Sequence, residues 1–429
     1  MKLELGTIQI KQFTFAEKTS LAGGHLQLCQ RELEEFIRTI HPQIVEVETV
    51  IVHPGEEVRI MPVKDVIEPR TKLDDGCCFP GINRGEEAIV GSGKTLALKG
   101  ISVLTTGKVV GFQEGIIDMS GPGAPYTPYS TLRNLVLRIE VDEQCNQYQH
   151  EEILRRVGLM TARWLADQVK TTPADEVTTY ETLPLAKQHA AYPDLPAVGY
   201  VYMLQSQGLL HDTWFYGVDV KKIVPTLMYP TEAMDGAIVS GNCVSACDKN
   251  TTWSHQNNPV IAELYRRHGK DLNFIGVILT NENVTLSDKV RSSNMVARLA
   301  DQMGISGAII SEEGFGNPDA DLMMNCYKLE AQGIHTVLLT DEYAGRGGES
   351  QSLADAHPSA NAVVTAGNAN QAITLPPMKR VIGHSVYANT IAGGFEGSLH
   401  NDGSITVEIQ AITGATNELG IHTLSAHSG

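Results

Sequence analysis

Four apolar runs in the second half of the chain, at 274–280, 307–312, 335–341 and 361–366, constrain the fold more than any other feature. The gaps between them include helix-length stretches with 3.6-residue periodicity at 284–303 and 319–332. Strand alternating with helix predicts a parallel sheet covered by helices. The first half follows different rules. Residues 1–15 alternate apolar and polar positions, an amphipathic helical stretch covers 26–40, and from 46 to 141 short runs such as IVEVETVIV and NLVLRIEV are broken by Gly and Pro. The expected fold class is therefore α/β: a mixed, β-rich N-terminal domain over 1–145, a helix and linker over 146–196, and a C-terminal α/β domain with a helix-covered, largely parallel sheet over 197–429.

Charge narrows the function. Fifty acidic against 33 basic residues give a formal charge of -17, a balance that repels phosphate backbones and anionic lipid. Nucleic-acid and membrane-surface roles are disfavoured, and no apolar run has the ~18 residues of a membrane-spanning helix. The first residues, MKLEL, show no export signal, so a cytoplasmic location is expected. Seven scattered cysteines are an odd set for a disulfide framework. Neither Cys77-Cys78 nor the pair Cys243 and Cys247 makes a persuasive zinc site, and no metal is assigned.

Several motif-like strings have structural explanations. AIVGSGKT at 88–95 has the loosest phosphate-loop spacing, but the residues after Lys94 read as strand where that loop needs a helix. His150-Glu151-Glu152 lacks the second His of a zinc-protease helix, since Leu154 holds that position, and reads as a surface helix start. GFGNPD at 314–319 opens a helix with Asn317 as cap and Pro318 in the first helical position, and Asp319 and Asp321 in the first helical turn would repel a pyrophosphate.

Two patterns point to chemistry. The carboxyl ends of three predicted strands carry Asn281-Glu282-Asn283, Glu312-Glu313 and Asp341-Glu342, the edge where ligands bind in open α/β sheets. An acid-rimmed crevice there suits a substrate ammonium, Mg²⁺ or a partner's Arg, or consists of solvated loop charges. The second pattern is Asn242-Cys243, where an apolar run ends in Gly-Asn and leaves a thiol at a sharp turn. The bland reading is a small buried cysteine that begins a helix. The chemical one is attack of the thiol on the carbonyl carbon of Asn242, which would convert the peptide to a thioester and open a route to chain cleavage and a pyruvoyl group.

The segments VSGNCVSACDKNTTW, GFQEGIIDMSGPGAPYTPYS, YVYMLQSQGLLHDTWFYGVD, SEEGFGNPDADLMMN and AITGATNELG resemble the component B proprotein of the glycine, sarcosine and betaine reductases. The resemblance runs from the first strand to the carboxyl terminus. It implies self-cleavage between Asn242 and Cys243, a pyruvoyl cofactor derived from Cys243, and condensation of a primary or secondary amine with that ketone, which polarises the C–N bond. It also implies partners: a selenocysteine-containing component B subunit that supplies the nucleophile in trans, a small selenoprotein that accepts the carboxymethyl group, and a third component that releases acetyl phosphate. Glu282, Glu312 and Glu313 become candidates for holding the amine. Betaine, a quaternary amine, would need another mode, with Trp214, Tyr216 or Trp253 around the cation. The alternatives are an uncleaved scaffold for the selenoprotein subunit and an unrelated α/β metal- or nucleotide-binding enzyme.

Overall fold

The computed structural model describes residues 1–74, 90–208, 210, 213–241 and 249–420. Among these the chain is mixed α/β, as expected. Its first half contains strand β1 (Lys2–Gln9), helix α1 (Gln30–Ile40), strands β2 (Ile44–Val52), β3 (Val58–Ile67), β4 (Arg70–Lys72), β5 (Gly93–Lys99), β6 (Ile101–Gly107), β7 (Gly115–Asp118) and β8 (Arg133–Val141), helix α2 (Gln147–Asp167) and strand β9 (Glu176–Glu181). Lys94 lies in β5, as its sequence context indicated.

Two sheets are built from these strands, in the orders β9-β1-β5-β4 and β7-β3-β6-β8-β2. Their shared core packs α1 and α2 through Leu33, Ile37, Leu154, Val157 and Leu165. Helix α2 starts on a capping box: Asn146 Oδ1 accepts the N–H groups of Tyr148 and Gln149 at 3.0 Å, and Gln149 Oε1 accepts that of Asn146 at 3.0 Å. His150 and Glu151 are buried, contrary to the surface helix start expected, because that turn packs inward and Arg155 reaches back to Glu151 at 2.9 Å. Strand β3 is buried at all ten positions although it carries Arg59, Lys64 and Asp65. Such charges need partners: Arg59 meets Asp118 at 2.7 Å and Lys64 meets Glu114 at 2.6 Å.

The second half continues with β10 (Ala197–Leu204), β11 (Thr226–Met228), β12 (Ile238–Ser240), α3 (Thr252–Gln256), α4 (Pro259–Arg267), β13 (Asn273–Asn281), α5 (Leu286–Met303), β14 (Gly307–Ser311), α6 (Asn317–Glu330), β15 (His335–Glu342), β16 (Val363–Asn368) and β17 (Arg380–Gly383). Six of these strands form one sheet in the order β11-β13-β10-β14-β15-β16, parallel throughout except where β11 meets β13. Apolar clusters cover both faces, with Val296, Ala300, Leu322 and Leu329 of α5 and α6 on one and Ile261 and Leu264 of α4 on the other.

The four runs read from the sequence are the strands β13 to β16, but the sheet's central strand, β10, precedes them by some seventy residues. It separates β13 from β14, so the three acid-bearing strand ends are not consecutive in space. In the other direction, β17 leaves the second half and pairs parallel with β3. Among the described residues no helix is long and apolar enough to cross a membrane.

Candidate active site

At the carboxyl edge of the parallel sheet the expected acids come together, but buried rather than around an open crevice. Glu282, Glu312 and Glu313 are 1 %, 0 % and 0 % exposed. Each sits one or two residues beyond a strand end, where the chain turns across the edge. Glu282 is tied there by its backbone N–H to Leu204 O at 3.2 Å, and Glu312 by its N–H to Leu339 O at 3.0 Å.

Their surroundings differ, and so do their proton affinities. Both carboxyl oxygens of Glu282 lack a hydrogen-bond partner among the described residues. Burial, followed by the charges of Glu312, Glu313, Asp321 and Glu418, pushes its pKa well up. Glu312 is pushed up by burial and then by Asp319, to which it donates a hydrogen bond, while Thr340 Oγ1 donates to Glu312 Oε2 at 2.9 Å. Glu313 is raised by burial but pulled back by Lys249 and by two backbone donors, Gln205 N at 2.6 Å and Asn250 N at 2.9 Å. Of the three, Glu313 is best equipped to carry negative charge. Asp321 is partnered by Lys289, whose ammonium also reaches Asn317 O at 2.9 Å. Helix α6 is capped one residue earlier than expected: Gly316, at φ 86°, is the N-cap, Asp319 Oδ1 takes its N–H at 2.8 Å, and Asn317 and Pro318 lie within the first turn.

Asn242 and Cys243 lie outside the described residues, as do Cys77, Cys78 and Cys247. The described residues on either side of 242–248 are themselves tied together. Ser240 N donates to Thr252 Oγ1 at 2.9 Å, so the two flanks meet. The same hydroxyl donates to Asp65 Oδ2 at 2.6 Å, while Thr252 N donates to Asp65 Oδ1 at 2.9 Å. Burial lifts Asp65 from 3.8 to about 7 against the pull of those bonds and of Lys249. Asp65 was not legible as a site residue, since in VRIMPVKDVI it occupies one polar position of an ordinary strand.

Side chains from four of the five distinctive sequence segments converge on residues 250–255, of which 250–253 end the fifth segment. Tyr129 OH lies 2.6 Å from Thr251 Oγ1 and 3.0 Å from Ser254 Oγ. From the strand YVYML, Tyr202 OH lies 2.7 Å from His255 Nδ1. Glu313 receives Asn250 N, as above. From ATNEL, Glu418 Oε1 accepts Asn250 Nδ2 at 2.8 Å, and Asn417 Nδ2 donates to Asn250 Oδ1 at 2.6 Å. The aromatic candidates are engaged separately. Trp214 lies under the Arg155 guanidinium at 4.2 Å, Tyr216 donates to Glu232, and Trp253 meets the edge of Tyr129 at 5.6 Å. Among the described residues there is no group of three or more His, Cys, Asp or Glu side chains arranged to hold a metal ion.

The geometry thus gathers buried acids, one lysine and one imidazole beside the flanks of 242–248. Comparisons with known proteins agree in extent with the resemblance read from the five segments. The family model for glycine/sarcosine/betaine reductase component B subunits matches residues 1–427. The chain is 58 % identical over 427 residues to the glycine reductase complex component B subunits alpha and beta of Peptoclostridium acidaminophilum, with 99 % of each covered. It is 57 % identical over 430 residues to the protein of the same description from Acetoanaerobium sticklandii, again with 99 % of each covered. It is also 52 % identical over 427 residues to the sarcosine reductase complex component B subunit alpha of P. acidaminophilum, with 99 % of each covered. No solved structure matches. The chain belongs to the family of glycine/sarcosine/betaine reductase component B subunits, oxidoreductase components of amino-acid reductase complexes.

Proposed function

We propose that this chain is a proprotein that cuts itself between Asn242 and Cys243. The products are a chain of 242 residues and a second holding the remaining 187 of 429, headed by a pyruvoyl group derived from Cys243. The observation that carries this reading is the convergence of the other four distinctive segments on residues 250–255, shortly after the proposed junction. It is supported by the relatives' description, which puts two subunits, alpha and beta, on one continuous sequence that this chain covers almost fully.

When present, the pyruvoyl group supplies an electrophilic ketone that withdraws electrons from a bound amine. The chain's own residues supply the rest. Glu313, held by the N–H groups of Gln205 and Asn250 with Lys249 nearby, keeps a carboxylate available to orient an ammonium and to accept its proton. Glu282 and Glu312, whose proton affinity burial and like charges raise, can return a proton to the departing nitrogen. Their burial keeps bulk water from competing for that transfer. The nucleophile comes from a selenocysteine-containing component B subunit in trans, since this sequence has none, and a small selenoprotein and an acetyl-phosphate-forming component act downstream. Glycine is the first amine to test, because two of the relatives carry glycine reductase names.

Intact mass and denaturing electrophoresis on the natively expressed protein provide the test. Two chains of about 26 and 20 kDa are expected, the smaller blocked to amino-terminal sequencing. A single 46.6 kDa chain fully active in the complex overturns the reading. Glu313→Gln and Glu282→Gln are expected to mature into two chains yet lose at least ~10²-fold in kcat, the lower end of what a general acid or base contributes. Full activity in both variants would remove these residues from the chemistry.

A further inference from the structure

Glu313 has a neighbour with no role so far. His255 is fully buried, its Nε2 lies 3.8 Å from Glu313 Oε1, and that nitrogen has no hydrogen-bond partner among the described residues. The opposite ring nitrogen, Nδ1, is 2.7 Å from Tyr202 OH. Tyr202 is itself buried and stacked on Tyr200 at 5.0 Å and 22°. Tyr200 OH lies 2.6 Å from Ser311 Oγ, at the end of the strand that leads directly to Glu312 and Glu313. A line of polar contacts therefore runs from β10 through α3 to the acid nest.

We infer that Tyr202 and His255 are positioning residues for Glu313: the phenol donates to Nδ1, which fixes the Nε2–H tautomer and aims a donor at the carboxylate. This inference rests on the reading of Glu313 as the amine-orienting carboxylate. A neutral imidazole has one N–H, and the bond made at one nitrogen decides which one keeps it. The ring is neutral here because burial and Lys249 lower its pKa to about 3. With Nε2–H toward Glu313 the charged carboxylate is favoured. With the other tautomer a lone pair faces the carboxyl, and its protonated form is favoured. The other groups facing this site are Lys249 ahead of α3, Glu282 beyond β13, Glu418 near the carboxyl terminus, and Tyr200 and Tyr202 on β10.

The test compares the full-length protein with Tyr202→Phe, which removes one hydroxyl and little volume. Imidazole ¹⁵N NMR, with His255 assigned through His255→Gln, is expected to show Nε2–H in the wild type. Carboxyl ¹³C NMR, with Glu313 assigned through Glu313→Gln, is expected to show Glu313 titrating about one unit higher in Tyr202→Phe, a tenfold change in its proton affinity. In the reconstituted complex the acid limb of kcat/KM should move up in pH by the same amount. An Nδ1–H tautomer in the wild type, or a Glu313 titration unmoved by Tyr202→Phe, overturns the inference. A uniform loss of activity with the acid limb in place indicates packing alone and overturns it equally. Both NMR measurements read the protein whether or not it is cut, and intact mass on the same samples tests the cleavage reading separately.

Discussion

Asp65 shows how a single side chain joins the two halves of this protein. It comes from the first half, yet its carboxylate holds Thr252, whose hydroxyl in turn receives Ser240 N. Its raised pKa has a definite consequence for stability. Between its ordinary value of 3.8 and about 7, the folded protein binds a proton at Asp65 that the unfolded chain does not. Rising pH therefore removes stability across that window, and the loss is complete above it. An Asp65→Asn variant lacks this dependence. The difference in Tm between wild type and Asp65→Asn is expected to move against the wild type from pH 4 to 7 and then level off. A constant difference would mean that Asp65 is ionised throughout. None of this was readable from the sequence, because a lone aspartate in an apolar strand reads as a solvent-facing position. The acids at Glu282, Glu312 and Glu313 were legible because they end apolar runs, and strand ends are where α/β sheets collect polar groups.

At the level of elements, the parallel strands β13 to β16 were evident from periodicity, whereas the role of β10 was not. Its run, AVGYVYML, stands after a polar stretch and outside the strand-helix alternation, so nothing local says that it inserts at the centre of a sheet built from later residues. The pairing of β17 with β3 is equally non-local and depends on Gly383. That residue has φ 96°, and a Cβ there would lie 2.0 Å from Met61 O. Backbone cannot yield as a flexible side chain can. Gly383→Ala is expected to destabilise the protein by roughly 3 kcal/mol, combining the strain of positive φ with displacement of the strand. Gly55→Ala, at φ 85° with nothing within 4 Å, should cost only about 1 kcal/mol. Thermal unfolding of the two variants distinguishes the contact from the dihedral, and equal losses would show that the β17 contact contributes nothing.

For the whole molecule, the proposed junction at 242–243 would divide sequence but not structure. Strand β10 lies before it and is hydrogen-bonded on both sides to β13 and β14, which lie after it. Strand β17 lies after it and pairs with β3, which lies before it. Buried polar contacts reinforce the exchange, including Arg70 Nη2 to Gln256 O at 3.2 Å and Arg59 Nη2 to Pro376 O at 2.9 Å. Two chains cut at the proposed junction would co-elute on size exclusion at high salt and unfold in one transition in urea. Separation without denaturant would contradict the shared sheet, since it would expose two rows of unpaired backbone groups.

The central placement of β10 also fixes an order of events. While the polypeptide is continuous, its insertion between β13 and β14 is a loop closure, whose entropy cost grows only slowly with chain length. After scission the same step would require two molecules to meet, each with an unprotected sheet edge inclined to pair with the wrong neighbour. A chain threaded in this way can be divided once its architecture exists, but it is poorly suited to being put together from its parts. Fragments 1–242 and 243–429 made separately and mixed should therefore aggregate rather than regain the native pair, so the proposed scission would have to follow folding.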